Sequence, residues 1–362
     1  MRRTLIAVRS TLPLLAALLA ASCDKTESPS APDDTAPITA VPDSTASADT
    51  LAQADTPAQA DTIAQADTLA PLVPEAALSY SGVSFGPYGL YATVTGFEWG
   101  PKPFTGSLDN TFAGSIVQRI TVARQQHHRL VLAMTGGQSR EYTTNGKFDL
   151  VKWKARMNTF NNSTIKKAVA DAVADGTVVG NKLIDEPETP KWGGAVTKPM
   201  IDQMATYVKN MFPTLPVGVA YGAPGFRWRA SEHYRVVDWV VSQYQWSFNQ
   251  GGITAWRDEV LGWARAEGVT PAFSLNILDG GINDKVGSWD CAGTGGKGTI
   301  AQRCRMTSDQ VRSWGGAIGP SGCLMLMWRY DDVFMSKSAN QAAFSDVASL
   351  LNSTPRRSCR RP

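Results

Sequence analysis

The sequence predicts an α/β fold, a (β/α)8 TIM-type barrel in which one strand is irregular or missing. Two observations lead to this prediction. Short apolar runs alternate with amphipathic stretches along residues 77–354, which is the order of parallel strands joined by helices. The segment of roughly 280 residues also has the length of one such barrel. An open or seven-stranded sheet is the alternative.

Seven strands are predicted, and several are apolar throughout, as strands covered on both faces should be. They are Tyr80–Phe85, Leu130–Met134, Val178–Ile184, Val217–Tyr221, Val236–Tyr244, Ala272–Leu278 and Cys323–Trp328. An eighth is expected in Gly89–Thr95, or displaced between the two helices before Val178. The predicted helices are Asn110–Gln126, Leu150–Phe160, Thr164–Ala174, Lys198–Met211, Ile253–Glu267, Ser308–Ala317 and Ala339–Leu351. Asp149, and Ser308 after Thr307, are typical of helix starts.

The N-terminus has the pattern of an export signal. Arg2 and Arg3 precede the short apolar run Leu12–Ala21, which is typical of a secretory signal peptide and too short to span a bilayer. The sequence Leu-Ala-Ala-Ser-Cys ending at Cys23 resembles a bacterial lipobox, with Ala20 where the motif has leucine. The resemblance implies removal of residues 1–22 and a lipid anchor on Cys23, which would hold the protein at a bacterial membrane or cell surface. Cleavage without lipidation, followed by secretion, is the alternative.

Two further segments flank the predicted barrel. Residues 23–76 are rich in Ala, Asp, Thr and Pro and lack aromatic residues, so we expect a disordered spacer. Residues 355–362 form a basic tail. This tail could contact anionic lipid or polysaccharide, but a solvated end is expected. The net charge of +3 gives no case for nucleic-acid binding.

The cysteines and histidines exclude several kinds of site. Cys291 and Cys304 flank a Gly-rich loop, and a disulfide between them is plausible in an oxidising compartment. Cys323 is expected to be buried, and the pairing of Cys359 stays open. The sequence has three histidines and neither a Cys-x-x-Cys nor a glycine-rich nucleotide motif. No metal, no cofactor and no Ser-His-Asp triad is therefore predicted.

The end of the strand Val178–Ile184 carries the strongest functional signal. Asp185 and Glu186 follow the apolar run directly, and Pro187 then stops the strand. Active sites of (β/α)8 barrels lie at the carboxyl ends of strands. The triplet resembles the Asn-Glu-Pro that ends the fourth strand in the large retaining clan of glycoside hydrolases, which includes cellulases and β-galactosidases. The resemblance implies that Glu186 is the general acid/base, with Asp185 in place of the asparagine.

A second carboxylate is needed to hydrolyse a glycosidic bond. In the resembled clan it is a glutamate at the end of the seventh strand, where this sequence has none. Asp279 is the nearest candidate, followed by Asp331 and Asp332. Asp185 could itself be reactive, and Glu188 is expected to be solvated.

Other residues near strand ends are suited to sugar binding, because aromatic rings stack on sugar faces and polar side chains bind hydroxyls. The candidates are Tyr88, Trp192, Tyr221, Gln243, Tyr244, Gln245, Trp246, Asn276, Trp289, Trp328, Arg329 and Asp332. Arg329 could instead pair with a carboxylate.

The sequence therefore predicts an exported enzyme of the glycoside-hydrolase type, acting on a poly- or oligosaccharide. The alternative is a surface carbohydrate-binding barrel without turnover. A third reading is a metal-assisted hydrolase in which Asp185, Glu186, Asp279 and Asp331 bind Mg²⁺ or Ca²⁺.

Overall fold

The computed structural model describes residues 80–90, 103–136, 139–222, 225–249, 252–282 and 304–362, which lie in one unit, Leu69–Pro362. Cys23, the predicted linker, Trp289 and Cys291 lie outside the described residues. The barrel strands within the described part are β1 (Ser84–Pro87), β2 (Gly106–Asn110), β3 (Arg129–Ala133), β4 (Val178–Asp185), β5 (Val217–Tyr221), β6 (Trp239–Tyr244), β7 (Thr270–Asn276) and β8 (Leu324–Trp328).

These strands form one parallel sheet that curls into a barrel. Neighbours follow the order β1, β8, β7, β6, β5, β4, β3, β2. The two outer strands meet at a short seam, where Gly89 N donates to Leu108 O over 2.8 Å and Thr105 N donates to Phe85 O over 2.9 Å. The sheet is thus a nearly closed (β/α)8 barrel, and the predicted fold class is confirmed.

Helices follow most of the strands. Their bounds are α1 (Ile116–Gln125), α2 (Leu150–Asn158), α3 (Ser163–Asp175), α4 (Lys198–Met211), α5 (Ile253–Glu267), α6 (Ser308–Ile318), α7 (Asp332–Met335) and α8 (Ser338–Ser353). The predicted starts of α2 and α6 are confirmed. Asp149 accepts hydrogen bonds from the first turn of α2, and Thr307 forms a capping box with Gln310. In the part of the chain that the structure describes, no helix is long and apolar enough to cross a membrane.

Strand β2 lies directly before the helix predicted from Asn110, in a stretch where no strand was predicted. Of the stretch Gly89–Thr95, only Gly89 and Leu90 are described, and neither is in a strand. The sequence Gly-Ser-Leu-Asp-Asn of β2 has one large apolar residue and therefore lacks an apolar run. Its buried Ser107 donates to a carboxylate oxygen of Asp109 and lies 3.1 Å from His128 Nε2, so hydrogen bonds replace apolar packing on that face.

Apolar side chains fill both sides of the sheet. One cluster packs between the strands and the helices, and a smaller one fills the barrel interior. Trp239 of β6 lies in this interior, close to Gly218 on β5 and Gly180 on β4. A Cβ on Gly180 would lie 2.7 Å from Trp239 Nε1, and one on Gly218 would overlap the indole ring. The two glycines therefore make the space that the indole occupies.

The C-terminal tail folds back onto the amino-terminal end of the barrel. Cys359 forms a disulfide with Cys323, the residue before β8. The guanidinium of Arg361 donates to the carbonyl oxygens of Val237 and Tyr234, each over 3.0 Å. The expectation of a solvated end holds in part: Arg356, Arg357 and Arg360 are exposed, but Cys359 is buried and these bonds anchor the tail. Cys304 is also disulfide-bonded.

Candidate active site

A cavity of about 630 Å³ opens at the carboxyl ends of the strands. Residues from β2, β4 and β8, and from the segments after β1 and β8, line it. They include Tyr88, Asn110, Lys182, Asp185, Trp328, Arg329, Asp331 and Asp332. Several of the predicted site residues are thus brought together here, at the end of the barrel where (β/α)8 enzymes carry their active sites.

Strand β4 supplies two charged groups to this cavity because it is irregular. Its register against β5 shifts between Lys182 and Asp185, so both residues lie on the inner side although they are three positions apart. Lys182 Nζ lies 2.8 Å from Asp185 Oδ1 and is buried, whereas Asp185 Oδ2 lies 3.4 Å from the Nζ of Lys191. Burial alone would raise the pKa of Asp185, but the two ammonium groups outweigh it and hold that pKa below its ordinary value. Asp185 is therefore ionised at neutral pH.

Glu186 follows β4 with a φ of 44°, in the left-handed region. Its backbone N donates to Ala220 O over 2.7 Å, which holds the turn against β5. Its Oε2 lies 3.1 Å from Lys191 Nζ, and its side chain is 38% exposed. Glu186 is thus reachable from solvent and ion-paired.

Glu188 differs from the expected solvated carboxylate. Its Oε1 accepts from Gly222 N over 2.8 Å, and its Oε2 is buried with no hydrogen-bond partner among the described residues. Burial, together with the charges of Glu186 and Asp185, raises the pKa of Glu188 to about 8. A Cβ on Gly222 would lie 3.0 Å from Glu186 Oε1 and 3.3 Å from Glu188 Oε1. The two oxygens are therefore at most about 6.3 Å apart.

Two aromatic rings wall the cavity beside these groups. Tyr88 and Trp328 meet edge to face with centroids 5.5 Å apart, and Lys182 Nζ lies 5.4 Å from the Tyr88 centroid. Burial, then the charges of Asp185 and Glu186, raise the pKa of Tyr88 well above its ordinary value, so its hydroxyl stays protonated. The peptide bond after Trp328 is cis.

Exposed apolar side chains follow three of the strands. Phe112 is 49% exposed, Phe248 is 53% exposed and Val333 is 60% exposed, and they follow β2, β6 and β8 respectively. Segments that follow parallel strands lie at the same end of the barrel, so these side chains belong to the end that holds the cavity.

Amide side chains at the ends of β6 and β7 hydrogen-bond to one another and to the next loop. Asn276 Nδ2 donates to Gln243 Oε1 over 3.3 Å, and Asn276 Oδ1 accepts from Asp279 N over 3.0 Å. Gln245 Nε2 donates to Asp279 O over 3.0 Å. Asp279 itself is 6% exposed. These bonds give Gln245 and Asn276 a role in holding the loop after β7.

The segment after β8 brings a second group of charges to the cavity. Asp331 Oδ1 accepts from Phe334 N over 2.8 Å and so caps α7, which leaves Oδ2 for another partner. Asp332 and Arg329 are exposed. Arg329 forms no ion pair with any described residue, so its charge is available to a ligand.

Four predicted sugar-binding aromatics lie away from the cavity. Trp192 is 4% exposed, and its Nε1 donates to Asp185 O over 3.0 Å, so it braces the end of β4. Tyr221 and Tyr244 pack in the cluster between sheet and helices, and Trp246 packs against it. Tyr221 hydrogen-bonds to the hydroxyl of Tyr234, and Tyr244 packs on α5 and α6. The buried rings of Trp192, Tyr221 and Tyr244 offer no face to a sugar, contrary to the prediction.

The sequence did not reveal three residues of this site: Lys182, Lys191 and Glu188. A lysine inside an apolar strand was the available signal for Lys182, since lysine is rarely buried without a partner. The described residues contain no group of three or more His, Cys, Asp or Glu placed to hold a metal ion.

No protein-family model and no curated protein matches the sequence. Three solved structures that resemble the chain are a candidate glycoside hydrolase from Parabacteroides distasonis, a GH113 β-mannanase from Alicyclobacillus acidocaldarius and xylanase 10B from Thermotoga maritima. The first is 7% identical with a TM-score of 0.47, covering 76% of this chain and 95% of that one. The second is 14% identical with a TM-score of 0.41, covering 76% and 100%. The third is 8% identical with a TM-score of 0.41, covering 75% and 95%. At such identities residues cannot be matched one by one, so each role must follow from its own contacts.

Proposed function

We propose that this protein is an exported glycoside hydrolase that cleaves a poly- or oligosaccharide at the mouth of the barrel. The set of carboxyl groups at the end of β4 is the observation that carries the proposal. Asp185 is ionised beside two lysines, Glu188 keeps its proton to a pH of about 8, and Glu186 stands close to both. Cleavage of a glycosidic bond needs a carboxylic acid and a carboxylate. Carboxyl groups whose environments give them different pKa values can be present in both forms at one pH.

In the proposed reaction Glu186 protonates the leaving oxygen. Its ion pair with Lys191 is partly exposed. Exposed pairs are worth about 0–1 kcal/mol, so an incoming sugar can displace the ammonium. Glu188 is a carboxylic acid whose Oε1 lies at most about 6.3 Å from Glu186 Oε1. Its proton would reach Glu186 through one bridging water and leave Glu188 as a carboxylate. Asp185, or Asp331 from across the cavity, attacks the anomeric carbon or removes a proton from the attacking water.

The walls of the cavity support a sugar as the substrate. Trp328 is partly exposed beside Tyr88, and Asn110 and Arg329 add hydrogen-bond donors. A volume of about 630 Å³ lies within the roughly 300–1,000 Å³ of typical ligand sites. The exposed Phe112 and Phe248 would extend contact along a longer chain.

One observation favours a second candidate, a sugar-binding barrel without turnover. The pKa of Asp185 is lowered by its two ammonium partners, so it is no proton donor, and Glu186 Oε2 already lies 3.1 Å from Lys191 Nζ.

The test compares Glu186→Gln, Asp185→Asn and Asp331→Asn on two substrates, a polysaccharide panel and aryl glycosides with an acidic leaving group. We expect Glu186→Gln to lower polysaccharide cleavage by about 10²–10⁴ and to spare the aryl glycosides, which need no proton donor. The second carboxylate is the residue whose loss abolishes both activities. Wild type that binds glycan yet releases no reducing ends from any substrate would establish the binding barrel instead.

Export and lipidation belong to the same proposal. The signal-peptide and lipobox patterns support them, and a disulfide between Cys323 and Cys359 suits an oxidising compartment. Membrane fractionation of wild type and Cys23→Ala is the test. We expect only the wild type in the membrane fraction.

A further inference from the structure

A second, smaller cavity lies at the opposite end of the barrel. It has a volume of about 170 Å³ and is walled by the starts of strands and by the C-terminal tail. Four arginines line it: Arg129, Arg356, Arg357 and Arg360. Among the described residues that line this cavity there is no aspartate or glutamate. The wall therefore concentrates positive charge without an acidic partner.

Arg129 is the buried member of this set, with 2% exposure. Its Nη1 donates to Gly82 O over 2.8 Å and its Nη2 to Ser81 O over 3.2 Å, which fixes the guanidinium. Its Nε is buried and has no hydrogen-bond partner among the described residues. Burial and the charge of Arg356 lower the pKa of Arg129 to about 10, so the group is still charged at neutral pH.

The nearby carboxylates are engaged elsewhere. Asp175 lies 2.7 Å from the Nε of Arg124, and Asp238 lies 2.8 Å from Lys209 Nζ. The tail is held at Cys359 by its disulfide, and the guanidinium of Arg360 is held because its Nη2 donates to Thr214 O over 2.6 Å. The positive wall is thus built by the fold and not by a free chain end.

We propose that this base cavity, lined by Arg129, Arg356, Arg357 and Arg360, binds a phosphate-type oxyanion. Guanidinium groups bind phosphate oxygens through paired, charge-assisted hydrogen bonds. The volume lies well below the roughly 300–1,000 Å³ of drug-sized ligand sites, so the occupant is a single small anionic group. Free phosphate and the phosphate of a lipid headgroup share this chemistry.

The first experiment titrates the full chain with inorganic phosphate by calorimetry, with sodium chloride holding ionic strength constant. We expect binding of one phosphate per chain, weakened at least tenfold in Arg356→Ala/Arg357→Ala and in Arg357→Glu. Arg227→Ala is the matched control, because Arg227 is an exposed arginine that follows β5, at the end of the barrel opposite the base cavity, and it should bind as wild type does. Circular dichroism checks that each variant is folded.

The second experiment measures flotation of the same proteins with vesicles of phosphatidylglycerol or of phosphatidylcholine. A lipid phosphate is the source if the double variant loses binding to phosphatidylglycerol and Arg227→Ala keeps it. Phosphate binding without this difference between vesicles identifies a free anion. The proposal is overturned if wild type binds neither ligand, or if both double variant and control bind them as wild type does.

Discussion

Replacing Glu188 by glutamine should remove most of a pH-dependent loss of stability. The pKa of Glu188 is about 8 in the folded protein against an ordinary value of 4.5. Between these values the folded protein binds a proton that the unfolded chain has released, so the free energy of unfolding falls as pH rises. At 1.36 kcal/mol for each pKa unit, the free energy of unfolding falls by at most about 5 kcal/mol between these pH values. We expect about 2–5 kcal/mol, because the half-buried site can relax around the ionised carboxylate. The stability that protonated Glu188 contributes is fully present below pH 4.5 and is lost as the pH rises through about 8.

Urea unfolding at pH 5, 6.5 and 8.5 measures this effect. Glutamine keeps the acceptor for Gly222 N and resembles the protonated acid, so Glu188→Gln should match wild type at pH 5 and exceed its stability at pH 8.5. Glu141→Gln removes an exposed carboxylate and controls for net charge. Equal differences between wild type and Glu188→Gln at all three pH values would refute the reasoning.

Three further predictions concern the scaffold. Cys359→Ser opens a disulfide that spans 36 residues, and chain entropy puts the loss near 4 kcal/mol. Thermal unfolding with and without reductant checks it, and the reductant should lower the midpoint of wild type by more than that of the variant, which keeps the disulfide of Cys304. Gly218→Ala places a methyl group against the ring of Trp239 and should cost about 1–3 kcal/mol in urea unfolding. Lys198→Met leaves the carboxylate of Glu267 buried without its cation, since Glu267 is 3% exposed and lies 2.8 Å from Lys198 Nζ. We expect urea unfolding to show a loss of about 3–5 kcal/mol, and a variant as stable as wild type would contradict the pairing.

The end of β4 was predictable because its signals are local. An apolar run, two acids and a proline mark a strand end in any context, and the structure ends β4 at Asp185. The starts of α2 and α6 were predictable for the same reason, since Asp149 and Thr307 cap the turns that directly follow them. Capping depends on neighbours in sequence, not on the tertiary fold.

Which side of each strand faces the barrel interior was not predictable from such local signals. A strand buried on both faces has no polar side, so its sequence does not tell which residues face the barrel interior. Tyr221 and Tyr244 were therefore placed in the cavity although they pack under the helices. The tail was missed for a related reason. Its position depends on the disulfide to Cys323, which is 36 residues away in sequence and holds the tail against the strand starts.

The irregular part of β4 links the fold to the proposed chemistry. In a regular strand, residues three apart face opposite sides, so Lys182 and Asp185 could not share the interior. The register shift between them places both there and leaves the lysine ammonium buried against the carboxylate. A buried ammonium is costly without its partner. The group that the proposed reaction needs ionised is therefore also a group that the barrel needs for stability, and any test of Asp185 must measure folding beside activity.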